Sequence, residues 1–115
     1  MSDRIAYKVL LADQLATLER DGLFAGAPVD LADGYIHLST ANQLARTIEK
    51  HFGGSDDVQI VAVDLEPLGD KVKWEVSRGG ALFPHLYAPL SLDAVIAYGP
   101  LCLDDQGSIR LPVAG

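Results

Sequence analysis

The chain has 115 residues, a formal net charge of −7, 49% hydrophobic residues and a single cysteine. The length suits one domain with a buried core, and the acidity excludes bulk nucleic acid, because polyanions are held by basic stripes. A lone Cys102 excludes an intrachain disulfide, and neither a basic leader nor about 18 consecutive apolar residues occurs, so a cytoplasmic location with no membrane partner is expected.

Ile5 to Leu10 reads as a short strand, followed by an amphipathic helix from Ala12 through Arg20 with Leu15 and Leu18 at helical spacing, ended by Asp21-Gly22. Phe24 to Asp33, with Gly26, Pro28 and Gly34 just beyond, has the composition of a loop. Tyr35 to Leu38 is a brief apolar run containing His37, and it leads into Thr40-Ala41-Asn42-Gln43. That spacing predicts a helix with Thr40 as N-cap, Gln43 reaching back, Leu44 and Ile48 facing inward, and Gly53-Gly54 at its end. Val58 to Leu65 is nearly all apolar and predicts a central strand covered on both faces.

After that, Val72 to Val76 alternates in polarity, Leu82 to Leu86 is short with Pro84 inside, Ala94 to Tyr98 is apolar, and the tail beyond Asp104 suits a last hairpin or a mobile end. Strands following one another without intervening helices predict an α+β fold: a mixed or antiparallel sheet with two helices packed on it.

The three histidines are not equivalent. His51 falls in a last helical turn, where it caps carbonyls and favours the helix dipole. His37 precedes a helix start and is either a half-buried ring bonded to backbone or an imidazole aimed into a cleft. Ser39 and Thr40 offer hydroxyls beside helical N–H groups that suit an anion such as phosphate. Glu75 points to the face opposite Trp74, in solvent or in a cleft. Arg78 or Lys73 can hold a small phosphate by a local charge-assisted bond despite the net charge. His85 lies between Phe83 and Tyr87, an aromatic setting that fits ring stacking or simple core packing. Cys102, in an apolar run without a base nearby, reads as a buried, inert thiol. The histidines and Glu75 lack the close ligand spacing of a zinc site, so no metal is expected. Phosphate-binding glycine motifs are missing.

Four stretches in order, Tyr7-Lys8-Val9-Leu10, Asp33 through Thr40, Lys73-Trp74-Glu75 and Phe83-Pro84-His85-Leu86-Tyr87, resemble the bacterial family labelled domain of unknown function 952. The resemblance implies an ADP-ribosyltransferase-like fold and a cleft for NAD or ADP-ribose. On that resemblance, His37, Glu75 and His85 are the catalytic candidates, and Lys8, Tyr35, Ser39, Thr40, Arg78 and Tyr87 the ligand-binding ones. His37-Leu38-Ser39 is similar to the His-Gly-Ser/Thr signature of such transferases, with Leu38 in place of the glycine. Two classes of function follow: an enzyme in which Glu75 stabilises positive charge developing on a ribose, or a non-catalytic module binding a small anionic metabolite or a protein partner. A third reading leaves the histidines and aromatics as a polar-tipped core serving folding alone.

Overall fold

The computed structural model describes residues 4–76 and 80–112. Strand β1 (Ile5–Leu11) is followed by helix α1 (Ala12–Asp21), strand β2 (Leu23–Phe24), helix α2 (Pro28–Asp33), strand β3 (Ile36–His37), helix α3 (Ala41–Phe52) and strand β4 (Val58–Asp64). A 3-10 turn (Glu66–Lys71) leads to β5 (Val72–Val76), then β6 (Leu82–Leu86), β7 (Leu90–Ser91) and β8 (Val95–Pro100).

Among the described residues every strand pair is antiparallel, in three sheets ordered β1-β4-β8, β3-β6-β5 and β2-β7. The fold is thus α+β as expected, with no parallel pair to make the sheets mixed and with three α-helices rather than two. The extra helix is α2, which lies inside the stretch expected to be a loop. Its start carries Pro28 at the first helical position, and Asp30 Oδ2 accepts the Ala27 N–H at 2.8 Å. Its end is set by Gly34, whose φ of 89° is a left-handed cap that other residues adopt at a cost. Six residues make less than two turns, too few for a helical period to show.

Strand β4 is central and is buried on both faces because each face meets its own core. Val61 and Val63 join Ala6, Leu10, Leu18, Ile36, Leu38 and Leu86 in the larger core, while Ile60 and Ala62 join Tyr7, Val9 and Leu44 in the second. Helix α3 therefore covers one side of the first sheet through Leu44, with Ile48 and Phe52 packed alongside. Gln43 Oε1 accepts the Thr40 N–H at 3.0 Å, so the expected reach-back at the start of α3 is present.

The two three-stranded sheets are stitched together by one antiparallel bridge, Tyr7 with Ser39, whose N–H groups and carbonyls exchange bonds of 2.7 and 2.9 Å. Beyond that bridge β1 and β3 do not pair, and residues of both line a cavity. The tail forms a small turn in which Asp104 Oδ1 accepts the N–H groups of Gln106 and Ser108, with Leu103 bridging Ile109. Cys102 is exposed, contrary to the buried thiol expected; in this hairpin it is Leu101 and Ile109 that pack against the second core. Among the described residues no helix is long and apolar enough to cross a membrane.

Candidate functional site

Strands β3 and β6 pair so that His37 lies directly opposite His85. Directly opposed residues of an antiparallel pair share a face, and the two imidazole rings stand edge to face with centroids 5.6 Å apart. His85 is almost wholly buried. Its Nδ1 lies 2.8 Å from Glu75 Oε1, supplied by the neighbouring strand β5, and the Tyr87 hydroxyl donates to the same oxygen at 2.8 Å. Tyr35 stacks on the His85 ring at 4.1 Å and also packs against His37 and Tyr87. The Lys73 ammonium sits 5.5 Å from the centre of the Tyr87 ring.

His37 has its own carboxylate, and it comes from α2. Asp30, 1% exposed, accepts the His37 backbone N–H at 3.1 Å and faces His37 Nδ1 at 2.6 Å through Oδ1. Its Oδ2 takes the Ala27 N–H and lies 2.9 Å from the ammonium of Lys8, which is 5% exposed and also donates to the His37 carbonyl at 3.2 Å. Asp33, one helical turn after Asp30, meets His37 Nε2 at 2.9 Å from the solvent side. Helical i,i+3 spacing explains why both aspartates reach the same ring.

Burial by itself pushes the Asp30 carboxyl up, but the His37 hydrogen bond, the Lys8 charge and hydrogen bond, and the Ala27 N–H together hold it far below the ordinary carboxylate range. Burial pulls the Lys8 ammonium below its usual value against the attraction of Asp30. The hydrogen bonds of His85 and then Tyr87 lower Glu75. The Tyr87 phenol is raised by donating to Glu75, and the Tyr35 phenol is raised by burial and by the charges of Asp33 and Glu75. A buried anion facing Nδ1 fixes the His37 proton there. The Nε2 atom meets the half-exposed Asp33 carboxylate, so both ring nitrogens face carboxylates and the orientation of the ring is fixed from two sides.

Both histidines form part of the wall of a cavity of about 450 Å³, within the range of small-molecule sites. Val9, Leu38 and Phe83 give it apolar surface, while Lys8, Ser39, Thr47, Lys50 and His51 give it polar groups. Two carboxylate-oriented imidazoles beside such a hollow can take a proton from one group of a bound molecule and give one to another. Among the described residues no group of three or more His, Cys, Asp or Glu side chains could hold a metal ion.

The structure brings His37, His85, Glu75, Tyr35 and Tyr87 into one cluster. Lys8 reaches it from beneath, as the partner of Asp30 rather than as an open cation. Ser39 lines the cavity, yet its Oγ is 2.8 Å from the Thr47 hydroxyl, and the Thr40 N–H is taken by Gln43, so neither matches the open anion cradle expected. Arg78 lies outside the described residues. Leu38 is buried in the larger core and also forms part of the cavity wall. His51 does occupy the last turn of α3, but it faces the cavity as well.

Asp30 and Asp33 are the residues that sequence reasoning missed. Pro at the first helical position, an acid at the third and glycine just past the end were the signals that could have revealed α2 and, with it, two carboxylates on one face.

The family model described as "Protein of unknown function (DUF952)" matches residues 9–98, and the chain belongs to that family. The chain is 44% identical to the crystal structure of protein CC0527 from Caulobacter crescentus, with a TM-score of 0.83 over 92% of this chain and 93% of that one. A double mutant of the same Caulobacter protein matches at 42% identity with a TM-score of 0.82 over 92% and 93% of the two chains. Its solution NMR structure matches at 44% and 0.78 over 92% and 91%. No curated protein matches the chain.

Proposed function

We propose that this member of the DUF952 family is an ADP-ribosyl- or phospho-transferase-like enzyme whose cavity binds NAD or ADP-ribose on an ADP-ribosyltransferase-like fold. The observation that carries the reading is the pair of imidazoles, 5.6 Å apart on directly opposed strand positions, each held by a separate carboxylate in the wall of one cavity. A structural histidine rarely needs a buried anion reserved for it, whereas proton transfer requires a fixed tautomer and orientation. The attacking hydroxyl displaces Asp33 from His37 Nε2 and gives its proton to that nitrogen, and His85 protonates the departing group when it leaves as an oxyanion. Asp30 and Glu75 are positioning residues that act through the two rings. Glu75 is not part of the cavity wall, so it works on His85 rather than on the sugar. A cytoplasmic setting fits an exposed Cys102, which a reducing compartment keeps as a thiol.

The test is ligand-induced stabilisation followed by turnover. NAD or ADP-ribose raises the melting temperature of the purified protein, and chromatography detects loss of the nucleotide with an acceptor alcohol or water. His37→Ala and His85→Ala then lose turnover by about a hundredfold or more, the usual contribution of a positioned acid or base. No thermal shift with either nucleotide refutes the reading.

One observation favours a binding module over an enzyme: the Ser39 hydroxyl is engaged with Thr47 and Leu38 fills the place of a glycine, which removes two contacts a transferase would use. The module predicts stabilisation without turnover, and affinity nearly unchanged in Glu75→Gln. The enzyme predicts a large fall in kcat for that variant.

A further inference from the structure

On its outer face α3 forms one wall of a second hollow, an open groove of about 770 Å³ that runs past Ala81 and Phe83 of the facing segment. The two hollows are not separate, because Lys50 and Phe83 belong to the walls of both. Asn42, Arg46, Glu49 and Lys50 fall at i, i+4, i+7 and i+8, so helical periodicity places them on the side of α3 away from Leu44, Ile48 and Phe52.

Two of the chain's cations stand side by side in this groove. The chain has nine Lys and Arg residues against sixteen Asp and Glu, and Arg4, Lys8 and Arg20 are committed to ion pairs with acids. Arg46 and Lys50 are exposed and, among the described residues, make no ion pair or hydrogen bond. Like charges at i,i+4 repel and weaken a helix. The arrangement is relieved when an anion sits across the two, and Glu49 leaves the described residues of the groove with a net positive charge of one.

We propose that the groove is the second lobe of the ligand site. A nucleoside diphosphate compound, such as ADP-ribose, lies with one end against His37 and His85, its diphosphate crossing the wall between Lys50 and Arg46, and its other end along the groove beyond them. This rests on the reading that the cavity takes ADP-ribosyl compounds, and it adds which residues hold the diphosphate and where the far half lies. A molecule with a sugar on one side of a diphosphate and a nucleoside on the other fits two hollows with a cation between them, which is the observed order of cavity, Lys50 and groove. Phosphate is recognised there by a charge-assisted, bidentate guanidinium and by a point-charge ammonium.

The experiment is calorimetric titration with two probes, ADP-ribose and nicotinamide mononucleotide, the second being long enough for the cavity alone. Arg46→Gln weakens ADP-ribose about tenfold, the loss of one charge-assisted contact, and leaves the mononucleotide within about twofold. Lys50→Gln weakens both. Both residues are exposed, and unchanged melting temperatures of the free variants verify that folding is intact. Arg46→Lys restores part of the ADP-ribose affinity, because it keeps the charge and loses the fork. If Arg46→Gln leaves ADP-ribose binding unchanged while His37→Ala removes it, the second lobe is refuted and the cavity reading stands. If wild-type protein binds neither probe, the cavity reading fails and takes this inference with it.

Discussion

Replacing Asp30 by Asn keeps the size of the side chain and removes its charge, which makes it the sharpest probe of the site. Oδ1 faces the His37 N–H, His37 Nδ1 and Lys8, and Oδ2 faces the Ala27 N–H and Lys8. Whichever way the amide is turned, its NH₂ group meets donors and one set of bonds is lost. The Lys8 ammonium is then left buried without a counter-ion. Breaking a buried pair in this way costs about 3–5 kcal/mol, and in a chain of this size each kcal/mol lowers the melting temperature by roughly 3–5 °C. A fall of about 10–20 °C is the expected result, measured by thermal and urea unfolding at pH 7.

Two controls separate this reasoning from a general loss of packing. Lys8→Met combined with Asp30→Asn destabilises by less than the sum of the single variants, by about 1–3 kcal/mol, because the two groups interact directly. The pH dependence has a defined sign. The folded carboxyl sits below its unfolded value, so its stabilisation is complete above a pH of about 3.9 and is lost as pH falls from there through the folded value. The gap between wild type and Asp30→Asn is therefore constant from pH 8 to about 5 and narrows below about 4. A loss under about 1 kcal/mol, or a gap that does not narrow in acid, refutes the buried pair as the anchor of His37.

Gly26→Ala strikes the same carboxylate from the backbone. Gly26 has a φ of 134°, and a Cβ there stands 2.9 Å from Asp30 Cβ, so a cost of about 1–3 kcal/mol and a shifted His37 imidazole NMR signal are expected; a variant as stable as its parent contradicts the close contact. Tyr87→Phe removes one of the two donors to Glu75 Oε1. The titration midpoint of Glu75 followed by NMR then moves up toward the ordinary glutamate value, and an unmoved midpoint means that the bond is not made. The stabilisation Glu75 receives is present above that ordinary value and lost as pH falls through the depressed one. Cys102 labels stoichiometrically with a thiol reagent in native protein, since it is exposed; a requirement for denaturant overturns that placement.

The elements that sequence alone determined are those whose signal is local and repeated. Five of the seven residues of β4 are apolar, enough to place it in the middle of a sheet, and Leu15 and Leu18 or Leu44 and Ile48 give α1 and α3 a face to bury. His37, Glu75 and His85 stood out by type and setting, and they do converge. Tertiary structure alone decided the partners, because pairing depends on which distant strands come together and no periodicity encodes that. Asp30 reaches Lys8 across 22 positions of sequence, and the His37–His85 register joins segments 48 residues apart. The same cause moved Ser39 from an open hydroxyl to a partner of Thr47 and Cys102 from the core to the surface. Helix α2 fell between the two: its end signals are written in the sequence, but a six-residue helix holds its shape through Asp30, whose bonds to Lys8 and His37 exist only once β1 and β3 are in place.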